Sequence, residues 1–138
     1  MSQAKPKHQI NSFDIDGVIF MGQYDGVYPN RRDIIITGRS VEEMRETLAM
    51  LNDKHIQNHV YFNPISFNNK TRESSGRHKG NTIKKLRESG LEIGLHFEDD
   101  PIQIEEILKI VPDQKIVYLQ HDLVPKENVS HADYKSQI

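Results

Sequence analysis

Short apolar runs alternate with helical patterns along most of this chain, and that alternation constrains the fold more than any other feature. Runs typical of strands cover residues 9–15, 33–40, 59–65, 91–100 and 114–120. Helical patterns cover residues 41–51 and 79–90 and begin again at Pro101. This alternation favours βαβ units, a parallel sheet and the α/β class. The 138 residues therefore predict one domain, with polar tails at about 1–8 and 126–138.

Two of the predicted helices carry recognisable end signals. Ser40 is a natural N-cap for the segment 41–51, and Glu43 completes a capping box. Gly90 is typical of a residue that follows a helix, so it should end the segment 79–90. The apolar face predicted for the segment 41–51 consists of Val41, Met44, Leu48 and Leu51.

Composition excludes several classes of protein. The chain has no cysteine, which rules out disulfides and thiolate metal sites. Its first twelve residues are polar and lack the apolar stretch of a signal peptide. No apolar run approaches the roughly 18 residues that a membrane-spanning helix needs. We expect a soluble, cytoplasmic protein that does not enter a membrane.

Positive charge is concentrated in the segment 70–87. Seven of the chain's 18 lysines and arginines lie there, against a single acidic residue, Glu73. Such a cluster could attract a polyanionic substrate. A solvated helix face next to a basic loop explains the same residues equally well. The seven cations are Lys70, Arg72, Arg77, Lys79, Lys84, Lys85 and Arg87.

Polar side chains follow three of the predicted strands at the point where each strand ends. Because ligands of parallel α/β sheets gather at the carboxyl ends of the strands, these side chains should converge on one edge. The three groups are Asp14 with Asp16, Thr37 with Arg39, and Asp99 with Asp100.

Four carboxylates at neighbouring strand ends would repel one another unless a cation lay among them. Oxygen ligands favour a hard ion, Mg²⁺ above all. Each pair also has an alternative interpretation. The sequence Asp16-Gly17 is typical of an ordinary turn, and Asp100 before Pro101 is typical of a helix N-cap.

An anion could bind next to the carboxylates. Thr37 offers a hydroxyl, and Gly38 exposes the backbone N–H groups that precede the next helix. The alternative is a purely capping role for this turn, centred on Ser40. Lys79, predicted to lie at the start of a helix beside Arg77, is a candidate phosphate clamp.

The order of these motifs resembles the haloacid dehalogenase-like superfamily of Mg²⁺-dependent aspartyl phosphatases. It runs from D-I-D-G through I-I-I-T-G-R and a lysine that opens a helix to E-D-D, across residues 10–101. The resemblance implies a three-layer α/β/α Rossmann-like fold with a five-stranded parallel sheet of order 5-4-1-2-3. Only 20 residues separate Asp16 from Thr37, and the loop from Ser66 to His78 is short. Neither connection has room for a cap domain.

Residue by residue, the resemblance assigns Asp14 as nucleophile and metal ligand and Asp16 as general acid and base. The backbone carbonyl of Asp16 and the carboxylate of Asp99 would complete the Mg²⁺ ligands, with Asp100 as an alternate ligand. Thr37 and Lys79 would bind the transferring phosphoryl oxygens, and Lys79 would also screen the carboxylates of Asp14 and Asp99. Lys84 is a rival for the lysine. Weaker expectations for substrate contacts fall on Gly38, Arg39, Asn63 and Arg77.

We therefore expect a Mg²⁺-dependent phosphomonoester phosphatase that works through an aspartyl-phosphate. An open, capless site suits a large phosphorylated substrate such as a nucleic-acid end, or a homo-oligomer that covers it. The alternatives are a phosphatase for sugar phosphates or nucleotides, and a non-catalytic module that binds Mg²⁺ or phosphate. A response-regulator receiver is excluded by two differences. Its phosphorylated aspartate would follow the third strand, which here ends at Asn63-Pro64, and its lysine would follow the fifth strand, whereas Lys79 precedes the acidic pair.

Overall fold

The computed structural model describes residues 9–126, which form one five-stranded sheet with three α-helices. The expected tails lie outside these residues except for Lys126. The strands are β1 (Gln9–Phe13), β2 (Ile34–Ser40), β3 (Val60–Asn63), β4 (Glu92–Glu98) and β5 (Lys115–Tyr118). The helices are α1 (Met44–Asp53), which follows a 3-10 turn at Val41–Glu43, α2 (Arg72–Glu88) and α3 (Pro101–Ile110).

All neighbouring strands in the sheet are parallel, in the order β3-β2-β1-β4-β5. Read from the opposite edge, this is the predicted order 5-4-1-2-3. The predicted α/β class is confirmed. Among the described residues, no helix is both long and apolar enough to cross a membrane.

Two separate apolar clusters bury the sheet residues. Side chains alternate along a strand, so Ile35 of β2 joins the first cluster, whereas Ile34 and Ile36 join the second. Leu51 of α1 packs in the first cluster. Ile83 of α2 packs in the second, where α3 contributes as well. Strand β1 is the central strand of the sheet, and β2 beside it has apolar packing on both faces.

The predicted buried face of the first helical segment is wrong for three of its four residues. Leu51 is buried, but Val41, Met44 and Leu48 are each more than 40% exposed. The segment starts with a 3-10 turn, which changes the angular positions of the residues relative to a continuous α-helix. The capping box of Ser40 and Glu43 is confirmed.

Helix α2 begins at Arg72, seven residues before the predicted start at Lys79. Thr71 caps it, with the hydroxyl of Ser74 bonded back to the Thr71 backbone. Helix α2 continues through the Ser-Ser-Gly run at residues 74–76. The glycine at position 76 allows α2 to approach α3 closely. A Cβ there would lie 2.7 Å from the Cβ of Glu106 and 2.9 Å from the Cα of Gln103. Lys79 therefore lies in the middle of the helix.

Candidate functional site

Three carboxylates meet at the carboxyl ends of β1 and β4. Asp14 directly follows β1, Glu98 is the last residue of β4, and Asp99 comes next. All three side chains are buried, and one carboxylate oxygen from each lies within 4.8 Å of the others. The structure thus brings together Asp14 and Asp99, as the sequence predicts, and adds Glu98. Gly17 makes this approach feasible, because it has a positive φ of 87° and a Cβ there would overlap the carboxylate of Asp99.

Lys79 lies beneath the carboxylates with no exposed surface. Its Nζ is 2.9 Å from Oδ1 of Asp14 and 2.8 Å from Oε1 of Glu98. Burial by itself would lower the pKa of Lys79, but the attraction of Asp14 and Glu98 outweighs it and raises the pKa. The ammonium is therefore charged, and it contacts Glu98 where the sequence predicts Asp99. Lys84, the rival, is exposed on the same helix.

A buried hydrogen-bond chain holds Glu98 from the other side. The Nε2 of His96 lies 3.0 Å from Oε1 of Glu98, and its Nδ1 lies 2.7 Å from the hydroxyl of Ser12. Burial and then the nearby Lys79 charge lower the pKa of His96 to about 3, so the imidazole is neutral. This series of buried hydrogen bonds continues from Glu98 through Lys79 to Asp14. It fixes the position of the Lys79 ammonium and, through it, of Oδ1 of Asp14.

The ionisation of the two central aspartates is suppressed in the absence of a further cation. Burial, followed by repulsion from Glu98, raises the pKa of Asp14 to about 8. Burial, followed by repulsion from Asp14, raises the pKa of Asp99 to about 6. At neutral pH the Asp14 carboxyl therefore holds a proton, whereas Asp99 is mostly ionised, and a divalent cation between the two could replace the proton on Asp14.

Asp16 lies at the rim of the site, paired with Arg39. Nε and Nη2 of Arg39 donate to the two carboxylate oxygens at 2.9 and 2.7 Å. Arg39 is only 2% exposed, and its Nη1 donates to the hydroxyl of Thr47 on α1. A bidentate guanidinium stabilises the ionised form of a carboxylate. Arg39 therefore fixes both the position and the charge of Asp16.

Asp100 is the N-cap of α3, which is the alternative to a metal ligand that the sequence offers. It caps α3 through the backbone N–H of Ile102, and its two oxygens also accept from the guanidinium of Arg72 at 2.6 and 2.9 Å. Burial raises its pKa, but the hydrogen bonds from Arg72 and Ile102 outweigh this and hold the pKa below its usual range. Asp100 is not part of the acidic group that could hold a metal, and both of its oxygens are bonded to other residues.

The remaining predicted anion and substrate residues fall into two groups. Gly38 faces the cavity, whereas Thr37 and Asn63 are fully buried beneath it. The hydroxyl of Thr37 accepts from the N–H of Arg39, and the amide of Asn63 donates to the carbonyl of Gly38 at 3.4 Å. These two residues shape the last part of β2, where its register with β3 shifts. Arg77 is 53% exposed and lies 3.4 Å from Glu106, so the structure does not place it at the cavity.

The site opens into a polar cavity of about 60 Å³. That volume has room for a few water molecules or for one small anionic group. The lining is almost entirely polar or charged: Asp14, Asp16, Gly38, Arg39, Lys70, Thr71, Arg72, Ser75, Lys79, Asp99, Asp100, Gln103, Pro125 and Lys126.

Two contacts made by the segment after β5 were not predictable from sequence motifs. The Nζ of Lys126, which lines the cavity, donates to Oδ2 of Asp99 at 2.8 Å, and Nε2 of His121 donates to the carbonyl of Gly17 at 2.8 Å. The sequence of this segment, residues 119–126, mixes polar and apolar residues and carries no recognisable motif. No local signal distinguishes Lys126 from the other lysines of the chain.

The basic segment 70–87 is largely neutralised within the fold. Five of its seven cations form ion pairs with carboxylates, and the other two, Lys84 and Lys85, are exposed. The structure therefore favours the interpretation as a helix face and ion-paired loop over that of a polyanion-attracting surface. The paired cations are Lys70, Arg72, Arg77, Lys79 and Arg87.

Comparison with known proteins gives no assignment: no family model matches this chain, and neither the curated proteins nor the solved structures contain a match.

Proposed function

We propose that this chain is a Mg²⁺-dependent phosphomonoester phosphatase of the haloacid dehalogenase-like type, with Asp14 as its nucleophile. One observation carries the proposal. Asp14 lines a small polar cavity, is bonded to a fully buried charged lysine, and lies within 4.8 Å of two further carboxylates. A buried nucleophile, an adjacent cation and a metal-ligand set in one cavity suit phosphoryl transfer.

The packing of the helices and the lengths of two connections also support the proposal. The two core clusters, one with α1 and the other with α2 and α3, suit a three-layer α/β/α sandwich. The β1–β2 connection spans residues 14–33, and the β3–α2 connection spans residues 64–71. Neither is long enough for an inserted cap domain, so the cavity would open directly to solvent.

The residues present fit Mg²⁺. Asp14, Glu98 and Asp99 offer only oxygen donors, which is the ligand type that Mg²⁺ prefers. Oε2 of Glu98 is buried and has no hydrogen-bond partner among the described residues, so an acceptor is left for a cation. The family resemblance adds the backbone carbonyl of Asp16. A bound Mg²⁺ would supply positive charge next to the phosphoryl oxygens.

The reaction would proceed in two balanced steps on this chain's own residues. A carboxylate oxygen of Asp14 attacks phosphorus, the bond to the leaving oxygen breaks, and that oxygen takes a proton from Asp16. Asp16 then takes a proton from a water whose oxygen attacks the phosphorus of the aspartyl-phosphate, and the bond from phosphorus to the Asp14 oxygen breaks. Inorganic phosphate leaves, Asp14 is regenerated as a carboxylate, and Asp16 again holds a proton for the next first step. Lys79 orients Asp14, and Arg39 stabilises the ionised Asp16 of the second step. The proton needed in the first step requires the Asp16 carboxyl to leave the guanidinium.

The substrate proposal rests on the shape of the site. A cavity of about 60 Å³ accepts a phosphoryl group and leaves the rest of the substrate outside. This arrangement suits a large phosphorylated substrate such as a nucleic-acid end, and it also admits sugar phosphates and nucleotides. Self-association would be another way to cover the cavity, and light scattering of the purified protein tests it.

A second candidate function is a non-catalytic module that binds Mg²⁺ or phosphate. The specific observation in its favour is that side-chain cations already neutralise the carboxylates. Arg39 pairs with Asp16, and Lys126 pairs with Asp99. A module of this kind would bind its ligand without turning over a phosphomonoester.

The test is turnover of a panel of phosphomonoesters, with Mg²⁺ and with a chelator, by the wild type and two variants. Asp14→Asn should abolish Mg²⁺-dependent turnover. Asp113→Asn, an exposed aspartate paired with Arg87, is the matched control and should retain it. If Asp14→Asn retains activity, the nucleophile assignment is wrong. If the wild type binds Mg²⁺ but turns over no member of the panel, the binding module is the better description.

A further inference from the structure

The segment that follows β5, residues 119–126, runs across the ends of β4 and β1. The backbone N–H of Leu119 donates to the carbonyl of Glu98 at 2.9 Å. Nε2 of His121 donates to the carbonyl of Gly17, and Val124 is buried in the first apolar cluster. These three contacts attach the segment to the site along its length. Its last described residues, Pro125 and Lys126, form one wall of the cavity.

Lys126 is bonded at two positions within this segment. Its Nζ donates to Oδ2 of Asp99 at 2.8 Å and to the carbonyl of His121 at 3.0 Å. The Asp99 side chain is only 4% exposed, and that of Lys126 is 20% exposed. This contact differs from a solvated surface ion pair, since the acceptor is a buried carboxylate of the proposed metal site.

We infer that Lys126 is a built-in counter-ion of the metal site, whose ammonium exchanges with the divalent cation and so sets the affinity of the site for it. The inference rests on the proposed metal site. Lys126 and the ion both carry positive charge and would share Asp99, and like charges at such short separation repel one another. Lys79 cannot take this role, because it is fully buried between Asp14 and Glu98.

The exchange has a thermodynamic signature. In the metal-free protein, Lys126 stabilises the ionised Asp99, so its removal should destabilise the fold. With Mg²⁺ bound, the ion supplies that charge, and removal of Lys126 should cost much less. By linkage, the variant that loses the ammonium must gain affinity for Mg²⁺. A lysine with a purely structural role would destabilise the protein equally in both conditions.

The experiment measures MgCl₂ binding by isothermal titration calorimetry on the full chain, together with the midpoint of thermal unfolding in chelator and in MgCl₂. Lys126→Met should bind Mg²⁺ on the order of tenfold more tightly than the wild type. Lys126→Arg keeps the charge and should bind like the wild type. Lys109→Met is the matched control, because Lys109 also pairs with a carboxylate at 2.9 Å, that of Glu106, and does not line the cavity.

The outcomes separate this inference from the proposed function. If Lys126→Met binds Mg²⁺ no more tightly than the wild type, or loses equal stability in chelator and in MgCl₂, the inference is overturned. The phosphatase proposal then stands on the turnover assay alone. If Lys126→Met gains affinity while no variant hydrolyses a phosphomonoester, the inference holds and the proposed function falls. If neither protein binds Mg²⁺, both are wrong.

Discussion

Arg39 holds Asp16 through two hydrogen bonds, from Nε to Oδ2 at 2.9 Å and from Nη2 to Oδ1 at 2.7 Å. A third contact, from Nη1 to the hydroxyl of Thr47, fixes the guanidinium against α1. The proposed general acid and base, which follows β1, is therefore oriented by a buried arginine near the carboxyl end of β2. This single ion pair joins the ends of the two neighbouring strands.

The first prediction concerns that pair. Arg39→Lys keeps the positive charge but loses the planar fork that bonds both oxygens of Asp16. We expect kcat for a phosphomonoester to fall by at least about tenfold, because Asp16 is no longer held ionised and in place to take the proton from water in the second step. Steady-state kinetics measure this effect. Arg87→Lys is the control, since Arg87 bonds Asp113 and Gln114 away from the cavity. A kcat for Arg39→Lys within twofold of the wild type would remove Arg39 from the mechanism.

The second prediction distinguishes the observed core face of α1 from the one that the sequence predicts. Leu51 is 1% exposed and Leu48 is 44% exposed. Leu51→Ala should therefore lower the free energy of unfolding by about 2–5 kcal/mol, whereas Leu48→Ala should change it by less than about 0.5 kcal/mol. Urea denaturation measures both. Equal losses in the two variants would show that the helix packs through the face predicted from its apolar spacing.

The third prediction concerns acid stability. Burial lowers the pKa of His78 to about 4, and the nearby Lys79 charge contributes. An unfolded chain takes up a proton on this histidine below about pH 6.5, whereas the folded protein does not. The stabilisation that the neutral imidazole gives is complete above pH 6.5 and is lost as the pH falls towards 4. The loss should reach about 3 kcal/mol at the lower end.

Comparison of the wild type with His78→Gln isolates this contribution. Urea denaturation at several values between pH 7 and pH 4 gives the free energy of unfolding of each protein. The wild type should lose more stability than the variant as the pH falls. Parallel curves would mean that His78 titrates alike in the folded and unfolded states.

Much of the fold follows from local patterns in the sequence. The β-branched runs and their order predict the parallel sheet, because each strand is fixed by its own apolar residues and by a short connection. The rule that polar groups gather at the carboxyl ends of such strands predicts that Asp14 and Asp99 approach each other. This approach depends only on the pairing of the neighbouring strands β1 and β4 and on the space that Gly17 leaves for the Asp99 side chain.

Apart from the pair of Lys79 with Asp14, which the resemblance implies, the ion pairs of the site could not be predicted, because they join residues that are distant in sequence. From the sequence alone, Asp100 could be either a metal ligand or a helix N-cap. Its contact with Arg72, which favours the capping role, is known only from the structure. Lys126 reaches Asp99 only because the segment after β5 turns back over the sheet. Thr71 is a weak local signal for the early start of α2. The need for a glycine at position 76 follows only from the packing of α3 against α2.

The most direct test of the account is mass spectrometry of the Asp16→Asn variant, quenched with acid during turnover of a phosphomonoester in Mg²⁺. The substrate is an aryl phosphate whose phenolate leaves without needing a proton from Asp16. Loss of the general base then slows only hydrolysis of the aspartyl-phosphate, so the covalent form should accumulate. If Asp14 is the nucleophile, the peptide that contains Asp14 should carry one added phosphoryl group, and none when Asp14→Asn is added to the variant. Continued Mg²⁺-dependent turnover by Asp14→Asn, with no phosphoryl group on Asp14 in any variant, would contradict it.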